Sequence, residues 1–250
     1  MRRIHRLLLN EAKQANRLQP QISYTEKKMT KLSRRVFLGS APAAAAAAGV
    51  FGTFFSSAAE AAIKWDETYN VIVIGAGGAG LSAAVSAKEA GAKKVVVLEK
   101  MMFAGGNTIR AGGGFNAAIK DDYEKAGIND SPKLHAEQTL AAGDGRGDPV
   151  LVHQLTEKAP ESVQWLKDHG VKFQDHIYQI YGGLYKRARN PIGPRGGAYI
   201  KALLEVCKKE DIPILYNTRV VEIIREHQLS GRVLGVKVEQ KGGKTLYLRA

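Results

Sequence analysis

Cysteine is almost missing from this chain of 250 residues, and Cys207 stands alone. One thiol excludes a disulfide framework within the chain and any cysteine-based metal site. No Cys-x-x-Cys-His occurs, so no c-type haem is attached to these residues. Cys207, in "YIKALLEVCKKE", reads as a small apolar residue on a buried helix face. Histidine is scarce as well, with six in all, and none is read with a carboxylate as a metal pair or as a catalytic base. Acidic charge is short: 24 Asp and Glu face 37 Lys and Arg, for a net charge of +13. That excess is uneven. Residues 1–61 hold ten basic and three acidic groups, and the rest holds 27 and 21, scattered along the chain. The scatter reads as solvated surface, and no nucleic-acid partner is expected.

A long, strongly apolar run is also lacking. The one extended uncharged stretch, from Val36 to about Ala59, is built largely of alanine and glycine. It is long enough to span a bilayer but only weakly apolar. Arg34-Arg35 precede it and Ala59-Glu60-Ala61 follow it, which is the order of a secretory leader with a small-x-small cleavage signal. "SRRVFL" resembles the twin-arginine signal, which implies export of a folded protein to a bacterial periplasm by the twin-arginine machinery. Residues 1–61 are therefore expected to be a signal peptide cleaved after Ala61, starting at Met1 or Met29, with residues 62–250 forming the mature domain.

What is abundant is glycine, and it is concentrated. "VIVIGAGGAG" places four glycines in six positions directly after a continuous apolar run. The run predicts a parallel strand buried on both faces. Gly75, Gly77 and Gly80 form G-x-G-x-x-G, and "AGLSAAVSAKEAG" continues as a helix to Ala90, with Gly91 as its stop. "KKVVVLEK" predicts the second strand, ending at Glu99, 19 residues after Gly80. Each part has a physical task. Gly75 permits the tight turn, Gly77 lets backbone approach a pyrophosphate, and Gly80 lets helix and strand pack closely. The helix N-terminus offers free N–H groups and partial positive charge. A carboxylate at Glu99 accepts the hydroxyls of an adenosine ribose and repels a 2′-phosphate, so NADP is disfavoured. Strand, turn, helix and acid together predict a bound dinucleotide.

The next segment distinguishes the dinucleotide. "MFAGGNTIRAGGGFNAA" is a glycine-rich loop where an NAD domain normally enters another helix. Such a loop lets backbone run along an extended ligand. "GAGGAG", "LEK", "GGNTIRAGGGFNAA", "DSPKLHAEQTL" and "GDPVLV" resemble the FAD-binding domain of the soluble fumarate reductases, the flavocytochrome c flavoproteins and related enoate reductases, including urocanate reductase. The resemblance runs from about Tyr69 to Ala250. It implies an α/β fold: a Rossmann-like FAD-binding domain with a parallel sheet, helices and a β-meander. It implies that Gly75, Gly77, Gly78, Ala79 and Gly80 line the pyrophosphate and that Glu99 and Lys100 lie at the adenosine ribose. Asn107, Thr108, Gly112, Gly113 and Gly114 would run along the ribityl chain and isoalloxazine, and the Val220 backbone would touch the adenine. Membrane-bound relatives attach FAD covalently through a histidine in this loop. Asn107 stands at that position, so a non-covalent FAD is expected.

Further along, "NDSPKLHAEQTLAAG" predicts a helix with Asp130 or Ser131 as N-cap and Pro132 at its first position, and Asp148-Pro149 repeat the device. Trp165 and Leu166 are expected in the core. "PILYNTRVVEIIRE", "RVLGVKVEQ" and "KTLYLRA" predict a β-meander with turns near Ser230-Gly231 and Gly242-Gly243. "RARNPIGPRGGA" carries Arg187, Arg189 and Arg195, a composition suited to a carboxylate ligand, a phosphate contact or a solvated loop.

The resemblance implies a periplasmic flavoenzyme that reduces an activated C=C bond of a small unsaturated carboxylate, with hydride from flavin N5 and electrons from a c-type cytochrome or another periplasmic donor. An FMN or a haem would sit on segments or subunits outside these residues. The family places its substrate clamp and proton-donating arginine in later segments, so the 250 residues are expected to be an N-terminal part, truncated before the capping domain. No catalytic residue is assigned within them. Two other readings stay open: a flavin dehydrogenase or oxidase of the same superfamily, ketosteroid dehydrogenase-like, or a catalytically empty fragment.

Overall fold

A computed structural model describes residues 63–181, 183–227 and 230–250. The expected leader and its cleavage after Ala61 lie outside the described residues.

The parallel sheet is built first along the chain. Strand β2 (Val71–Ile74) follows a two-residue strand, β1 (Glu67–Thr68), and leads through the glycine turn into α1 (Gly78–Glu89) and then β3 (Val95–Leu98). β2 and β3 pair in parallel, Val71 opposite Val95 and Ile74 opposite Leu98. β6 (Ile214–Leu215) adds to the other side of β3, giving the order β2-β3-β6. The central strand is the second one, and all four of its side chains are buried. Val95 and Val97 point into a cluster with Leu81, Ala84 and Val85 of α1 and Ile200, Leu203 and Cys207 of α5 (Gly196–Lys209). Val96 and Leu98 point the other way, into a cluster with Tyr69, Val236, Val238 and Leu248. Burial on both faces explains why "VVVL" shows no alternation, and each such side chain contributes roughly 1.5–3 kcal/mol. β2, by contrast, was expected to be buried on both faces and is not. It is the edge strand: Val71, Ile72 and Val73 are half-buried and Ile74 is exposed.

The second layer is the meander. β7 (Thr218–His227), β8 (Ser230–Gln240) and β9 (Thr245–Arg249) run antiparallel, and β1 closes the sheet by pairing in parallel with β9. The apolar run "PILYNTRVVEIIRE" divides rather than forming one meander strand. Ile214 and Leu215 join the parallel sheet, and Thr218 begins the next strand after Asn217 turns the backbone at φ 51°. Ser230 already belongs to β8 and pairs with His227 at the end of β7, beside the expected turn. Gly242 and Gly243, both at positive φ, make the next turn.

The remaining helices are α2 (Lys120–Ala126), α3 (Pro132–Ala142) and α4 (Pro149–Asp168). The starts of α3 and α4 are fixed locally. Ser131 Oγ accepts from the Leu134 N–H at 3.1 Å, and Asp148 Oδ1 accepts from Val150 and Leu151. Leu166 is buried as expected, while Trp165 is only half-buried and donates its Nε1–H to Glu89 at 3.0 Å. A two-stranded ribbon of β4 (Phe115–Asn116) and β5 (Ala188–Arg189) ties the glycine-rich loop to the region before α5. Among the described residues, no helix is long and apolar enough to cross a membrane.

Candidate functional site

The glycine turn sits at the C-terminal end of the parallel sheet, where α/β folds bind ligands. Gly75 leaves β2 at φ 99°, with nothing within 4 Å of a side chain built there. A Cβ at Gly77 would meet only the Gly105 carbonyl, at 3.9 Å. At Gly80 the same test fails: a Cβ would lie 1.8 Å from the Gly75 oxygen. Gly75 and Gly77 therefore leave open room above the turn, while Gly80 is required for helix and strand to meet. α1 begins at Gly78 with no side-chain cap at Gly77. Beyond the Gly78 N–H, which Thr108 Oγ1 takes, its first N–H groups are left for a ligand to satisfy, and its positive end faces the open room.

Three sequence-distant groups converge on this turn. Glu99 is 7% exposed and lies just past β3. Its Oε2 accepts from the Ala76 N–H and its Oε1 from the Met101 N–H, both at 2.8 Å. The carboxylate is thus held at the turn by two backbone donors. The loop after β3 returns to the same place. Gly105 N–H donates to Ala76 O at 2.8 Å, and Gly105 bridges to Gly77. Thr108 Oγ1 accepts from the Gly78 N–H at 3.2 Å. Gly105 and Gly106, at φ 135° and 51°, allow this return. Gly105 was not among the expected site residues, and the signal for it was the Gly-Gly pair itself.

The meander reaches the same end of the parallel sheet. Thr218 N–H donates to Glu99 O and Asn217 N–H to Met101 O, each at 2.9 Å. Half-buried Val220 follows at the start of β7, and the pairing register slips between Val220 and Glu222, so Val221 bulges. Such bulges re-aim the backbone beside ligand sites. Lys100, Ala79 and Asn107 are all exposed at the same end.

Gly112, Gly113 and Gly114 lie further along the loop, anchored to other elements. Gly113, at φ 86°, packs against Arg195, where a Cβ would come within 2.8 Å of backbone. Tyr199 OH of α5 donates to Gly113 O at 2.7 Å, and burial pushes the Tyr199 pKa far up, so it stays a neutral donor. Gly114 abuts Tyr178 and Ile180. Nothing within 4 Å would oppose a Cβ at Gly112. Tyr199 and Tyr178 went unnoticed in the sequence because they lie far along the chain from the loop they hold.

The arginine segment has a different role from carboxylate capture. Arg187 is 5% exposed and grips Asp130 through Nε and Nη2 at 3.0 and 2.9 Å, with Gln138 on Nη2 at 2.7 Å. Arg189, at 3% exposure, donates to Ala117 O and Asp122. Both guanidinium groups are spent on the protein itself. Arg195 is exposed at the start of α5, at φ 52°. One histidine also has partners that the sequence did not indicate: His169 Nε2 lies 2.8 Å from Glu89 Oε1, and Nδ1 lies 2.6 Å from Trp165 O. These contacts tie the end of α4 to α1. Burial pushes the Cys207 thiol up to about 11, which suits an inert core residue. Among the described residues, no group of three His, Cys, Asp or Glu side chains could hold a metal ion.

An open backbone cradle at a helix start, a carboxylate at the strand end and a second glycine loop crossing above them make a donor set suited to a dinucleotide. Comparisons with known proteins agree. Residues 70–250 match the family described as FAD binding domain. A fumarate reductase (cytochrome) of Shewanella frigidimarina is 38% identical over 175 residues, covering 69% of this chain and 30% of that protein. A urocanate reductase of Eggerthella lenta is 36% identical over 170 residues, covering 67% of this chain and 28% of the other. The structure of an open conformation of a flavocytochrome c3 fumarate reductase superposes with TM-score 0.70 at 30% identity, over 79% of this chain and 34% of that one. The chain thus spans less than a third of the length of these two curated relatives. It belongs to the FAD-binding-domain family, and FAD is its cofactor.

Proposed function

We propose that this FAD-binding chain serves a reductase of activated C=C bonds in small unsaturated carboxylates. The observation that carries the reading is the loop of residues 105–114, which crosses the pyrophosphate turn and is then fastened at Gly113 by Tyr199. Similarity to relatives named for fumarate and urocanate reduction supports the substrate class. Gly75, Gly77, Gly78 and Thr108 would hold the pyrophosphate, Glu99 and Lys100 the adenosine ribose, and the Val220 backbone the adenine. Asn107 and Gly112, Gly113 and Gly114 would follow the ribityl chain and ring, without a covalent link. When bound and reduced, FAD would supply the hydride chemistry of such a reduction through its N5. The chain's own part is to bind, orient and exclude water: α1 presents its positive end, Glu99 fixes the ribose end, and the glycine loop keeps backbone within reach of the ring. No residue of this chain is assigned as the acid that protonates the second carbon. Twin-arginine export, a periplasmic site and a c-type cytochrome as electron donor complete the proposal, resting on the "SRRVFL" leader and the flavocytochrome likeness.

The test has two arms. Residues 62–250, expressed alone and refolded with FAD, should retain the flavin at one per chain after gel filtration. A colourless product would remove the cofactor assignment. The native protein from its host should oxidise reduced viologen with fumarate or urocanate as acceptor. Turnover only in the oxidative direction with a steroid would favour the dehydrogenase reading instead.

A further inference from the structure

The first turn of α5 lies directly on the loop read as following the flavin. Gly196 approaches so closely that a Cβ there would stand 1.9 Å from the Thr108 oxygen, and its N–H donates to Ala111 O at 3.2 Å. Three residues further along α5, Tyr199 OH donates to Gly113 O at 2.7 Å. Two carbonyls of the loop are therefore taken by α5. The N–H groups of Gly112, Gly113 and Gly114 meet no acceptor among the described residues. Tyr199 is itself held in place. It is 8% exposed, and the rings of Phe115 and Phe173 pack against it with centroids 6.5 and 6.1 Å away. Burial keeps its phenol neutral, so its one proton stays committed to the Gly113 carbonyl. A hydrogen bond received at a carbonyl polarises the peptide and strengthens the N–H on its other side. For Gly113 O that N–H belongs to Gly114, which is exposed and open to a ligand.

We propose that Tyr199 is a positioning residue for the flavin: through the Gly113–Gly114 peptide it strengthens an N–H offered to the ring and so eases the ring's reduction. This role rests on the reading of residues 112–114 as following the ring. An N–H donor favours the reduced ring, which is richer in electrons, over the oxidised one. A phenol that polarises the donor shifts the flavin toward its reduced form without touching it. Gly196 fixes where the loop backbone lies, and Tyr199 sets how strongly it donates.

The experiment loads the full chain with FAD and reduces it by two electrons with dithionite beside a reference dye. The ratio of reduced to oxidised flavin is read at a fixed dye ratio. Tyr199→Phe keeps the ring but removes the donor, and should lower that ratio about threefold. Replacing Tyr199 with a ring-fluorinated tyrosine gives a more acidic phenol and should raise it. The fluorinated variant keeps hydroxyl and packing, so the test stands even if Tyr199→Phe folds poorly. Equal ratios in all three proteins, or shifts of one sign in both variants, overturn the proposal, because a purely structural contact would not follow phenol acidity. The amide NMR signals of Gly112, Gly113 and Gly114 are followed in parallel as FAD is added to the apo chain. Signals that do not move put the ring elsewhere, and the functional reading falls together with the role of Tyr199. Signals that move while the ratios stay equal overturn the role of Tyr199 alone.

Discussion

The dinucleotide turn and the arginine ribbon solve opposite problems. At residues 75–80 the chain removes side chains so that a foreign anion can approach bare backbone. At residues 187–189 it brings large cations inside and neutralises them with its own acids: the Asp130 side chain is fully buried against Arg187, and Asp122 meets Arg189. The first arrangement leaves donors unsatisfied for a ligand; the second satisfies every charge internally. Arginine-rich sequence beside a glycine-rich loop is therefore not by itself a substrate clamp. Here it braces that loop, because Ala117 O takes the Arg189 guanidinium and Ala117 N–H donates to Arg187 O.

The comparison is broken most severely from the ribbon side. Arg187→Ala leaves the Asp130 carboxylate buried without its cation and should cost about 3–5 kcal/mol in chemical denaturation. Adding Asp130→Ala should recover part of that loss, since the uncompensated charge is gone; no recovery would mean that packing, not charge, holds the ribbon. On the turn side, Gly80→Ala drives a methyl into the Gly75 oxygen and should cost about 3 kcal/mol, with loss of bound flavin measured by absorbance. A variant that stays yellow would show that the helix can move away from the strand. Glu99→Gln sharpens the contrast. It leaves one acceptor oxygen where the Ala76 and Met101 N–H groups use two and sets an amide NH2 against one of them, so FAD affinity should fall about tenfold and the melting temperature should fall less than for Gly80→Ala. Fluorescence titration of FAD checks it.

The smallest effect concerns His135. Its pKa in the folded protein is lowered below the ordinary 6.5, so the unfolded chain binds the proton more readily. The neutral, buried form contributes its full stability above about pH 6.5, and that contribution falls as the pH drops below it. His135→Phe should flatten the decline in melting temperature between pH 7 and 5. An unchanged slope would place the acid sensitivity elsewhere.

Much of the dinucleotide half was legible because its signals are local. The glycine spacing, the β3 run, the Ser131 and Asp148 caps and the turn at Gly242 all act within a few residues. The misreadings occurred where a remote partner decides. Val71–Ile74 looks as buried as Val95–Leu98, yet it lies at the edge, because strand order is set by which neighbours arrive later. Ile214 and Leu215 read as the start of a meander strand but add to β3, which offers an open edge next to them.

The sequence by itself determined the nucleotide chemistry of this protein. Turn, helix start and terminal carboxylate are specified within about thirty residues by steric rules that need no distant partner. Only the tertiary structure decided that Arg187 and Arg189 are internal braces, that Tyr199 holds Gly113, and that His135 is buried with its Nδ1 unpartnered. Those facts depend on residues tens of positions apart meeting in space, and pairing between buried charges or hydrogen-bond partners leaves no periodic trace in the chain.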